Sequence, residues 1–240
     1  MAKAKEIISK IEEFAPLSLQ EEYDNSGLQI GDINTEVTGI YIALNLDLEV
    51  LKDAKNKKCN FILTHHPVLF HPLSQIDTST YFGKVIEEAI KNDFIVYSSH
   101  TSCDNAEQSI AYTNLTKLGC TNIQRFDELY IADIDLPLRE ILKKLTIITG
   151  DENILSTNLS KDIKKVGYIN GSGGRMEEIL PVLLENKVDC YISSEFKYSF
   201  LLDLTNNNIE VLELNHFNSE RVFNEIMKNK LCTNFENVVI

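Results

Sequence analysis

Residues 2–14 carry Ala4, Ile7, Ile8, Ile11 and Phe14 at helical spacing, which predicts an amphipathic helix stopped by Pro16. The following segment, 23–31, is rich in turn formers at its centre and becomes apolar at its end. The period then changes: Ile40, Ile42 and Leu44 alternate with Tyr41 and Ala43, predicting a strand over 37–46. Asp47 is placed to cap a helix over 48–58. A short apolar strand over 60–64 ends at His65 and His66. A helix over 80–91, a strand over 94–99 ending at His100, and a helix over 105–118 closed by Gly119 follow. Beyond it, the pattern predicts a strand over 129–134, a helix over 138–145 with Pro137 at its first position, and a strand over 153–158.

The remainder repeats the first part. Strands over 165–169, 188–193 and 209–214 alternate with helices over 175–187, 197–205 and 217–229, and a last strand is expected within 231–240. Each half reads β-α-β-α-β-α, so the expected fold class is α/β: two similar halves with mixed sheets packed together and a metal site between them. The first half is expected over 1–128 and the second over 129–240, with the last strand able to return to the first half. Ligands of open α/β sheets gather beyond the carboxyl ends of the strands. Histidine stands there after 60–64, after 94–99 and after 209–214.

The composition removes function classes more than it adds them. The 240 residues are 43% hydrophobic and 25% charged, as in a soluble globular protein. No apolar run approaches the ~18–20 residues of a membrane span, and residues 1–10 lack a signal-peptide core. A cytoplasmic location without membrane contact is therefore expected. Cys59, Cys103, Cys120, Cys190 and Cys232 are odd in number and form no C-x-x-C pair, which points to separate reduced thiols. A net charge of −13 repels phosphate backbones and argues against a nucleic-acid partner.

Candidate chemistry lies at the strand ends. Neighbouring side chains on an extended backbone point to opposite faces. His65 and His66 therefore serve one site only where the strand gives way to a turn, and their divergence predicts ligands to different ions. His100-x-x-x-Asp104 and His216-x-x-x-Glu220 share one spacing and one position in the repeat. Imidazole with carboxylate suits zinc, iron or manganese, and the set is large for one ion but matches two. Any one of these residues alone has an ordinary explanation, as a hydrogen-bonded histidine or an acid at a helix start; the joint pattern points to metal. Gly171-Ser172-Gly173-Gly174 offers backbone N–H groups for an anion, or forms a plain tight turn. Glu195 and Lys197 suit proton transfer or substrate contact, or else a helix cap and a solvated lysine. His71 has no role in this reading.

Several of these segments resemble, in order, the motifs of the NIF three-like family, whose members are often labelled GTP cyclohydrolase I type 2 homologue. Asp24-Asn25-Ser26-Gly27-Leu28-Gln29 resembles its D-N-x-G-L-Q, Thr64-His65-His66-Pro67 its T-H-H-P, and His100-Thr101-Ser102-Cys103-Asp104 its H-T-N-x-D. Gly171-Ser172-Gly173 resembles its G-S-G, residues 193–198 its T-G-D-x-K-Y, and 216–220 its G-H-Y-x-x-E. Glu195 stands where the family usually has Asp, Ser193-Ser194 replaces Thr-Gly, Ser199 stands for a frequent His, and Asn215 for the glycine before His216. The resemblance implies two divalent metal ions (zinc, iron or manganese) held by His65, His66, Asp104, His216 and Glu220, with His100 close by. It implies a ring-like homo-hexamer, and the inserted domain of longer members is not expected here. The implied activity is a dinuclear-metal-dependent hydrolase of the GTP cyclohydrolase type. In it His100 or Glu195 moves protons, and Gly171, Ser172, Gly173 and Lys197 meet a nucleotide such as GTP. The rivals are a dinuclear phosphoesterase and a non-enzymatic metal-binding or regulatory scaffold.

Overall fold

The computed structural model describes residues 2–240. The chain forms two compact units, one from the residues up to Ala106 together with Phe223–Ile240, the other from Glu107–Val222.

The first unit begins with α1 (Ala4–Phe14), which buries Ala4, Ile7 and Ile11. It continues through β1 (Gly27–Ile30), β2 (Ile40–Ala43), α2 (Leu48–Asn56), β3 (Phe61–Thr64), α3 (Tyr81–Lys91), β4 (Ile95–Ser98) and the short α4 (Thr101–Asp104). The second unit holds α5 (Ile110–Leu118), β5 (Thr121–Phe126), β6 (Leu129–Pro137), α6 (Leu138–Thr149), β7 (Leu155–Ser156), β8 (Asp162–Tyr168), α7 (Leu180–Glu185), β9 (Cys190–Ser193), α8 (Tyr198–Asn206), β10 (Glu210–Glu213) and α9 (His216–Glu220). The chain then returns through α10 (Val222–Leu231) and β11 (Val238–Val239).

The first sheet has the order β1-β4-β3-β2-β11. All its neighbours are parallel except β1, which runs antiparallel to β4. Every residue of β2, β3 and β4 is buried, as expected of parallel strands covered on both faces. Leu51 and Ala54 of α2 and Val85, Ile86 and Ala89 of α3 pack with Ile62 and Val96. Asp47 caps α2 as predicted, accepting from the Val50 amide at 2.7 Å.

The second sheet has the order β5-β6-β8-β9-β10-β7, with β8, β9 and β10 parallel and the flanking strands antiparallel. Strand alternation divides its core. Tyr130, Ala132 and Ile134 of β6 join Leu115, Ile141 and Leu145, whereas Leu129 and Ile131 join Leu183, Phe200 and Leu204.

Several elements differ from the pattern-based expectation. The helix expected over 105–118 starts only at Ile110, because Ser109 caps α5 by accepting from the Tyr112 amide, and the separate short α4 ends before it. The helix expected over 175–187 shrinks to α7, preceded by two 3₁₀ turns over Gly171–Arg175 and Glu177–Ile179. Pro137 caps α6 as the last residue of β6 rather than opening the helix. The β5–β6 hairpin, turned at Asp127 with φ +52°, was not anticipated, since β5 buries little and shows no apolar alternation.

Candidate functional site

In the first unit, β3 and β4 are parallel neighbours with Thr64 opposite Ser98, so the residues just past them adjoin. The Thr64 and Ser98 hydroxyls meet at 2.7 Å beneath that edge. Three imidazoles gather above it. The His65–His66, His65–His100 and His66–His100 ring centroids lie 4.8, 5.1 and 5.3 Å apart.

Each ring is held by the same nitrogen. His65, fully buried, has Nδ1 3.1 Å from the Ser99 carbonyl oxygen. His66 has Nδ1 2.9 Å from Asn45 Oδ1, and His100 has Nδ1 2.8 Å from Asp24 Oδ1. These partners are acceptors, so Nδ1 carries the hydrogen and the neutral ring keeps its lone pair at Nε2. One ligand nitrogen from each of the three lies within 4.8 Å of the others, close enough for one ion. Asp104 Oδ2 is 3.7 Å from His65 Nε2. The chain bends directly after Thr64, which brings the His65 and His66 rings together.

Asp24 received no role from the sequence and emerges as the organiser of this cluster. Its side chain has no exposed surface. It accepts from His100 Nδ1, the Ser26 hydroxyl, and the Thr101 amide and hydroxyl. Burial pushes its acidity the other way, but the His100 hydrogen bond and charge and the two hydroxyls hold the carboxyl well below the usual carboxylate range. Nothing local announces this: Asp24 sits in a turn-rich segment, 76 residues from His100.

In the second unit, β10 is followed by Asn215, whose side chain caps α9 and sets His216 at the helix start. His216 Nδ1 is 2.7 Å from Glu195 Oε1, and Nε2 is 3.1 Å from Oε2 of the buried Glu220. Glu195 Oε2 is 2.7 Å from Arg175 Nη2. The Glu220 hydrogen bond raises the His216 pKa; burial opposes it, and the charges of Glu220 and Glu195 carry it to about 9. A cavity of about 560 Å³ opens here, lined among others by Asp151, Glu195, Glu213, Asn215 and His216.

Two amides of the glycine turn are already engaged. The Gly171 amide donates to Ser219 Oγ and the Gly174 amide to the Ser194 carbonyl. Glycine is required for space: Gly171 has φ +62°, and a Cβ there would overlap Glu220 Oε1 and crowd His216 Nε2. A Cβ on Gly173 would meet Ile169 and Ser193. Ser172 stays exposed, and Lys197 Nζ lies 3.7 Å from the Glu177 carboxylate. His71 packs its ring edge-on to Phe70.

The donor sets fit a divalent ion: imidazoles with Nδ1 anchored on oxygen are oriented as metal-ligating histidines are. A sequence model of the family described as Duf34/NIF3 (NGG1p interacting factor 3) matches residues 2–240. A Clostridium acetobutylicum protein named "GTP cyclohydrolase 1 type 2 homolog" is 31% identical over 95% of this chain and 89% of its own length. A Clostridium perfringens protein of the same name is 33% identical over 91% and 87%. Among solved structures, a Bacillus cereus protein related to NIF3 superposes with a TM-score of 0.90 at 18% identity, covering 100% of this chain and 96% of that one.

Proposed function

Since this chain belongs to the Duf34/NIF3 family, we propose that it is a dinuclear-metal-dependent hydrolase of the GTP cyclohydrolase type, acting on a nucleotide. The observation that carries the reading is the shared anchoring of four imidazoles. His65, His66, His100 and His216 each have Nδ1 on an oxygen acceptor, which leaves Nε2 for a ligand bond. In this reading His65, His66 and Asp104 of the first unit and His216 and Glu220 of the second hold two divalent ions. Such ions, when bound, supply Lewis acidity.

The protein's own groups do the rest. His100, held by Asp24, stands beside His65 and His66, where it can hold or move a proton. Glu195, which the sequence suggests for proton transfer, has both oxygens engaged, by His216 and by Arg175, and so orients His216. On GTP the reaction opens the guanine imidazole ring and releases formate.

The engagement of the Gly171 and Gly174 amides favours a second reading, a dinuclear phosphoesterase, in which the ions themselves hold the phosphate. The experiment is elemental analysis and formate release on protein purified without chelator, with its assembled mass measured for the homo-hexamer the family resemblance implies. The expected result is about two metal ions per chain, a mass six times that of one chain, and formate from GTP. Cleavage of a phosphoester panel without any formate would sink the GTP reading and leave the phosphoesterase.

A further inference from the structure

The structure assigns Arg175 a function that its place at the end of a glycine turn does not announce. We infer that Arg175 is a positioning residue for His216: its guanidinium fixes Glu195, and Glu195 fixes the Nδ1 side of the ring so that Nε2 faces Glu220. The inference rests on the proposed reading of His216 and Glu220 as metal ligands.

The chain of contacts is continuous within the second unit. Arg175 Nη2 lies 2.7 Å from Glu195 Oε2, Glu195 Oε1 lies 2.7 Å from His216 Nδ1, and His216 Nε2 lies 3.1 Å from Glu220 Oε2. The backbone builds this meeting. The Gly174 amide donates to the Ser194 carbonyl at 2.9 Å, and the Lys197 amide donates to the Gly174 carbonyl at 3.1 Å. The two bonds lace the glycine turn to the segment on either side of Glu195. A Cβ at Gly174 would overlap the backbone of Ser194 and Phe196, so only glycine allows so close an approach. Arg175 is the next residue and is thereby brought opposite Glu195.

Glu195 itself has φ +58°, a left-handed conformation that a glutamate adopts only when its surroundings hold it there. Arg175 is 62% exposed, so packing does not explain its position. Without the guanidinium, Glu195 Oε2 loses its charged partner and the carboxylate is free to rotate off the ring. A metal-ligating histidine depends on the acceptor behind its outer nitrogen, and Arg175 acts on the ring through that acceptor.

The test compares wild type with Arg175→Gln and Arg175→Lys. Cobalt(II) affinity is read from absorption titrations, and the His216 Nδ1 resonance from nitrogen-15 NMR of metal-free and zinc-loaded protein. Arg175→Gln is expected to weaken cobalt binding about 10- to 100-fold and to shift the Nδ1 resonance, with far-UV circular dichroism unchanged. Arg175→Lys, which keeps the charge but not the planar fork, is expected to recover part of both. Wild-type affinity with an unmoved Nδ1 resonance in Arg175→Gln would reduce Arg175 to a surface ion pair and overturn the inference. If His216→Ala binds cobalt as tightly as wild type, the metal reading of this site fails instead. The relay is then decided by the metal-free spectrum alone, where Arg175→Gln must still move the Nδ1 resonance.

Discussion

The two units place histidine at equivalent strand ends but hold it by different means. In the first unit, three imidazoles lean on a backbone carbonyl, a side-chain amide and a buried carboxylate, and Asp24 is locked by hydroxyls and an amide. In the second, one imidazole leans on a half-buried glutamate that leans in turn on an exposed arginine. The first arrangement rests on a buried carbonyl and a buried carboxylate beside the exposed Asn45 amide, the second on a charge pair near solvent. Exposed charge pairs are screened by salt, and buried ones much less. The first unit is thus the more firmly held donor platform and the second the more adjustable one.

The comparison breaks most visibly at His66. Replacing it by alanine is expected to remove a donor outright, lowering metal content and reducing any metal-dependent turnover by ~10³-fold. Elemental analysis with kinetics reads both, and turnover that survives the loss of metal would mean that the activity belongs to something else. Asp24→Asn tests rigidity. It sets an amide donor against groups that donate, and should cost about 2–3 kcal/mol in urea unfolding. Its folded pKa is depressed, so this stabilisation is present above the unfolded value near 4 and is lost as pH falls below it. The variant should show a flatter acid-side stability profile than wild type, and an unchanged profile would deny Asp24 its organising role. The smallest effect is expected at Gly171. Alanine there is strained at φ +62° by about 1–2 kcal/mol and displaces Glu220. Weaker cobalt binding with only modestly lowered stability would match the softer site, and unchanged binding would show that Glu220 does not matter to it.

Much of this was legible in the sequence, for a physical reason. Apolar alternation and strand-end histidines are local signals, and so β2, β3 and β4 of the first sheet, β8, β9 and β10 of the second, and the placing of His65, His66, His100 and His216 could be read directly. Asp24, Asn45 and Arg175 could not, because their meaning lies in a partner distant along the chain: Asp24 meets a ring 76 residues on and Asn45 one 21 residues on. The glycine turn shows the same limit. Its motif offers four amides, and only the packing against Ser219 and Ser194 shows that those of Gly171 and Gly174 are engaged. The β5–β6 hairpin escaped because its first strand is half in solvent and carries no alternation to read.

One feature of the first sheet bears on how the molecule is made. Its edge strand β11 pairs with β2, joining Val238 to Ile40 across almost the whole chain, while Glu107–Val222 forms a unit of its own in between. During synthesis the second unit is therefore complete before the first. Until Phe223–Ile240 follow, β2 stands open at the sheet edge. An open edge strand invites pairing with another chain, so β11 also shields the first sheet from aggregation.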